Sequence, residues 1–92
     1  MHEKAVLQDL LRKVDELART NGFARLTHVR LWVGALSHFS ETSLREHWRD
    51  AVPGTVAEGA RLEIEVSEDR TDPRAQGVVL VSLAGESPEG AG

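Results

Sequence analysis

The residues of this chain best suited to chemistry stand at its beginning. Met1-His2-Glu3 sets an α-amino group, an imidazole and a carboxylate side by side. With Met1 as the first residue, the amine nitrogen, the His2 imidazole and the intervening amide nitrogens can close small chelate rings around one metal ion. Nitrogen-rich, planar chelation of this kind suits Ni(II) or Cu(II) and matches Mg, Ca or a tetrahedral zinc site poorly. A histidine near an N-terminus is common by chance, so the tripeptide needs support from the rest of the sequence. The 92 residues include no cysteine, which removes disulfides, thiol catalysis and every thiolate metal site together. A metal site in this chain must be built from nitrogen and oxygen.

Three further histidines compete for attention. His28 falls in the middle of an expected strand, on its more polar face, and reads as solvated. His47 lies beside Trp48 on an expected helix and follows Glu46. A helical zinc motif needs two ligands about four residues apart on one face, and no second histidine is so placed. His47 therefore reads as a boundary histidine. His38 sits in the loop after the first strand, close to Glu41, where a ligand or gate for a nearby metal would sit. Ser37, Ser40 and Ser43 surround it, but no G-x-S-x-G elbow holds a serine against a base. Gly34 and Gly54 mark element ends and do not form a phosphate loop. An enzyme is not expected.

Composition narrows the classes further. Net charge is −4, from 15 acidic and 11 basic residues, and no Lys/Arg cluster is interleaved with aromatics, so a nucleic-acid partner has no electrostatic footprint. No apolar run approaches the ~18 residues of a membrane span. Glu3 and Asp9 interrupt any secretory pattern, which makes a cytoplasmic protein the expectation.

The elements that must position these groups follow from periodicity. Leu7, Leu10, Leu11, Val14, Leu17 and Ala18 recur at spacings of three and four, predicting an amphipathic helix over 4–20 that stops at Asn21-Gly22. Residues 26–33 read as a strand with Val29, Leu31 and Val33 on one face and His28, Arg30 and Trp32 on the other. Ser40 is a plausible N-cap for a second helix from Glu41, with Leu44, Trp48 and Ala51 as its stripe and Pro53-Gly54 as its stop. Leu62, Ile64 and Val66 alternate with charged residues in a second strand, and 78–83 forms a third. Residues 86–92 read as a flexible tail behind a 1–85 domain. The expected fold class is α+β, a small mixed three-stranded sheet with two helices packed on it, in the order helix-strand-helix-strand-strand. A strand-helix-strand unit gives a parallel pair, and the short linker before the last strand favours an antiparallel one. Trp32 points away from the helices, either onto a partner or dimer surface or flat over the aliphatic stems of Arg30 and neighbouring charged residues.

Taken together, these stretches resemble the HypA/HybF family of hydrogenase-maturation nickel metallochaperones. Met1-His2-Glu3 matches the family's opening motif. Residues 29–37, VRLWVGALS, look like its first strand and the turn after it, and residues 59–64, GARLEI, like its next strand. The similarity runs from Met1 to about Ala84. One departure is large: the family's zinc-binding subdomain, with two CxxC pairs between the last two strands, is replaced by the cysteine-free stretch 67–76.

The resemblance implies the nickel-binding domain alone, with Ni(II) carried on Met1, His2 and Glu3 and no zinc expected. It also implies Glu41 as the acidic residue near the nickel, with His38 as a further candidate. Implied partners are a hydrogenase large subunit or a nickel-handling GTPase, and a homodimer is open. The alternative is an adaptor that keeps the fold to bind a hydrogenase-related partner without carrying metal. Neutral imidazole is needed for binding, so affinity is expected to fall as pH drops through the ordinary histidine range near ~6.5. Copper competes well for such nitrogen sites.

Overall fold

The computed structural model describes residues 3–88. Helix α1 (Glu3–Thr20) is followed by strand β1 (Arg25–Val33), helix α2 (Glu41–Ala51), strand β2 (Arg61–Val66) and strand β3 (Val78–Glu86). This is the expected α+β order.

Burial in α1 falls on Leu7, Leu10, Val14 and Ala18, a stripe of three- and four-residue steps. Leu17 lies off it and stays 43% exposed. The helix stops where it should. Gly22 takes φ +72, a conformation that costs a glycine nothing. The Phe23 amide then donates to Ala18 O at 2.9 Å and the Gly22 amide to Arg19 O at 3.1 Å, the paired bonds of a Schellman cap. Phe23 returns its ring to the core. Ser40 starts α2, its hydroxyl accepting the Ser43 amide at 3.0 Å.

The sheet order is β2-β1-β3, with β1 central. β1 runs parallel to β2 (Val29 opposite Leu62, Leu31 opposite Ile64) and antiparallel to β3 (Val29 opposite Leu83, Leu31 opposite Leu80). Two irregularities interrupt the antiparallel ladder, between Leu26 and His28 and between Arg30 and Leu31. Leu31, Val29 and Leu26 pack against the α1 stripe and against Trp48, Val52 and Ala57. Each such fully buried side chain contributes roughly 1.5–3 kcal/mol relative to exposure.

β3 continues three residues past the expected end at Leu83. Glu86 pairs with Arg25 through the ladder and through a 3.1 Å ion pair, and the Ala24 amide donates to Glu86 O at 2.7 Å. The opposite face of the sheet is polar at its centre, where Arg30 meets Glu63 at 3.3 Å. Trp32 has a charged group over its ring, although not the Arg30 stem that the sequence suggested. The group is Arg74, whose guanidinium carbon stands 4.7 Å from the ring centroid.

The stretch 67–77 crosses from β2 to β3 over the end of β1. The Ser67 amide donates to Val33 O at 2.8 Å, the Gly34 amide to Gly77 O at 2.9 Å and the Leu36 amide to Ala75 O at 2.7 Å. Ala75 is buried against Gly34, so tightly that a Cβ built there would lie 2.2 Å from Ala75 O. Glycine is required at 34 by that contact.

Candidate metal-binding end of the domain

The first turn of α1 and the middle of α2 meet at one polar contact. Glu3 Oε1 lies 2.9 Å from His47 Nδ1, between side chains that are 17% and 35% exposed. The sequence of α2 explains the position. Leu44, His47, Trp48 and Ala51 follow one another at helical spacing, so His47 shares the stripe whose apolar members enter the core. Leu44 and Trp48 are buried and His47 lies half-buried beside them, facing α1. Among the described residues, the other side-chain ion pairs of α1 stay within the helix, from Asp9 to Arg12 and Lys13 and from Asp15 to Arg19.

An open groove runs beside this contact. Glu3, Val6 and Asp9 line it from α1, the 36–39 loop lines it from the end of β1, and Gln76 and Gly77 line it from the crossing stretch. His38 reaches this groove from its loop. It is exposed and takes φ +66, unusual for a residue other than glycine. Ser37 beneath it is buried, with its hydroxyl accepting the Phe39 amide at 3.3 Å.

The structure therefore brings Glu3 and His38 to one groove and does not bring Glu41 with them. The Glu41 carboxylate is held by Arg45 one turn along α2, at 2.9 Å. Arg45 also donates to Leu62 O at 2.8 Å, tying α2 to β2. Met1 and His2 lie outside the described residues. Among the described residues, no three His, Asp or Glu side chains converge as a metal cage. His28 is exposed beside Thr27, as a solvated strand residue should be. His47 is the residue that sequence reasoning passed over. The search for a second histidine four residues away missed a partner that comes from another helix.

Two carboxylates on the crossing stretch have altered acidity. Asp72 is held below the ordinary carboxylate range by hydrogen bonds from the Arg74 side chain and backbone amide. Asp69 is lowered by the Thr71 hydroxyl and amide. Both fix the loop that delivers Arg74 to Trp32.

With that geometry in view, comparison with known proteins decides the family. The model for HypA, described as hydrogenase/urease nickel incorporation, metallochaperone, matches residues 1–74. This chain belongs to the HypA family. A hydrogenase maturation factor HypA from Methylocella silvestris is 31% identical over 96 residues, covering 96% of this chain and 85% of that protein. One from Rhizobium leguminosarum bv. viciae is 42% identical over 64 residues, covering 70% of this chain but 57% of its own length. Against relatives of that second kind the chain spans little more than half their length. The solution structure of the Ni metallochaperone HypA from Helicobacter pylori shares the fold, with a TM-score of 0.82 over 95% of this chain and 99% of that one at 16% identity. The family match takes in the opening tripeptide, both helices, β1 and β2, and β3 lies beyond it.

Proposed function

We propose that this chain binds Ni(II) through Met1, His2 and Glu3 and passes the ion on during hydrogenase maturation. Its membership of a nickel-incorporation family, with the match beginning at the opening motif, is the observation that carries this reading. The donor chemistry agrees with it. A chain without cysteine offers only amine, imidazole, amide and carboxylate groups, and the nitrogen-rich part of that set gathers at residues 1–3. Glu3, the last residue of the motif, is the first residue of α1.

In this reading the domain is a handle and the motif is the carrier. Nickel is cargo, bound at the start of the helix where it can be taken up and surrendered without unfolding the core. His38 lies across the groove from Glu3 and serves as the residue met by an ion entering from that side. Glu41 joins the site only if it leaves Arg45. A hydrogenase large subunit or a nickel-handling GTPase would receive the ion, working with the protein in the cytoplasm.

Calorimetric titration of Ni(II) into protein with a native, untagged Met1, beside the His2→Ala variant, tests the proposal. One equivalent bound by the parent and lost or strongly weakened in the variant supports it. No saturable binding, or binding that ignores the substitution, overturns it and leaves a metal-free adaptor as the better account.

A further inference from the structure

The contact between Glu3 and His47 does more than tie two helices, and we propose that His47 is itself a nickel ligand, through Nε2. This inference rests on the nickel-binding role assigned above and deepens it. An ionised carboxylate can only accept hydrogen bonds, so the 2.9 Å contact makes Nδ1 of His47 the N–H donor. In a neutral imidazole that leaves the lone pair on Nε2. Histidine ligands in metalloproteins are arranged in this way, with one ring nitrogen donating to a carboxylate and the other bound to the metal. The carboxylate fixes tautomer and ring orientation and strengthens the ligand.

Position agrees with chemistry. Glu3 is the third residue of the proposed nickel motif, and the group its carboxylate meets is the His47 ring. The His47 side chain is 35% exposed, which leaves the ring open to an incoming ion. The backbone under it is rigid, since Leu44 and Trp48 on either side of it are buried in the core. A nickel ion held by the opening residues and by His47 would be bound between a chain end and a fixed helix. The two attachments would then share the ion, and transfer would begin by releasing one of them.

The test uses the full chain with a native Met1, loaded with one equivalent of Ni(II), and compares the parent with His47→Ala and His47→Gln. X-ray absorption at the nickel edge counts coordinated imidazoles, while calorimetry gives affinity and a thermal melt checks folding. The expected result is two imidazoles in the parent and one in each variant, with affinity down about tenfold or more and the melt little changed. Glutamine keeps an N–H for Glu3 but supplies no imidazole, so it separates ligation from mere positioning. An unchanged imidazole count in His47→Ala, or full recovery of affinity in His47→Gln, overturns the assignment. If the parent binds one nickel that depends on His2 while both His47 variants match it, only this inference fails. If the parent binds no nickel, the function proposed above fails with it.

Discussion

Replacing Gly34 with alanine should damage the domain far more than the loss of a glycine usually does. Gly34 has no positive φ, so the backbone itself would accept a side chain. Space would not. The added Cβ would lie 2.2, 2.4 and 2.8 Å from the carbonyl oxygen, carbonyl carbon and Cα of Ala75, all backbone atoms with no rotamer to escape into. The crossing stretch must therefore lift away from β1. Lifting it stretches the hydrogen bonds from Leu36 to Ala75 and from Gly34 to Gly77 and opens the packing of buried Ala75. Overpacking costs about 1–3 kcal/mol and each weakened hydrogen bond up to ~1 kcal/mol, so about 2–4 kcal/mol is expected in all. In a domain of this size, that lowers Tm by roughly 8–32 °C. Urea unfolding gives the free energy, and amide chemical shifts of residues 34–38 and 74–78 report the displacement. Gly22→Ala is the contrasting case, with open space around its Cβ and a strained φ of +72, and should cost only about 1 kcal/mol without moving the loop. A Gly34→Ala protein within 0.5 kcal/mol of the parent on the order-of-magnitude scale of surface substitutions, with unmoved loop shifts, would refute the contact argument.

Three further outcomes can be measured with the same protein. Ser40→Ala removes the hydroxyl that accepts the Ser43 amide and should cost about 1 kcal/mol by urea titration, mostly by fraying the start of α2. Leu31→Ala empties a site of zero exposure between the sheet and α1 and should cost about 2–5 kcal/mol in the same assay. Asp72 titrates below its unfolded value of 3.8, so the stability it lends the crossing stretch is present above about pH 4 and fades as pH falls below that. The emission of Trp32, isolated by Trp48→Phe, should change in that acid range as Arg74 leaves the ring, and Asp72→Asn should show the released signal already at neutral pH.

Periodicity was enough to find four of the five elements, and a short apolar run marked the fifth, β3. The stripe of Leu7, Leu10, Val14 and Ala18 and the alternation of Val29, Leu31 and Val33 carry their own evidence. What periodicity could not show depends on residues far apart in the chain. Ala84-Gly85-Glu86 has no strand character of its own and becomes strand because β1 offers Arg25 and Leu26 as partners. Arg74 is one charge among many on a polar stretch until the Gly34–Ala75 contact sets it over Trp32. His47 was more accessible to inspection. Its spacing from Leu44 and Trp48 put it on the buried stripe of α2, and a half-buried histidine beside a core tryptophan invites the question of what it faces. The answer, Glu3, lies 44 residues away and needed the packing of α1 on α2. The opening motif itself was legible as chemistry, and the family match agrees with the resemblance that the strands and turns suggested.

The central place of β1 bears on how the chain is made as well as on how it stands. β1 emerges early during synthesis, its parallel neighbour is complete only at Val66, and its antiparallel neighbour only at Glu86. Until then one edge of the strand carrying Val29, Leu31 and Val33 has open backbone groups, which invite pairing with another chain. A fragment cut after residue 74, where the family match ends, would keep both helices and β2 yet leave that edge permanently open. The span of the family-model match and the unit of folding therefore differ here. A working piece of this protein has to run through Glu86.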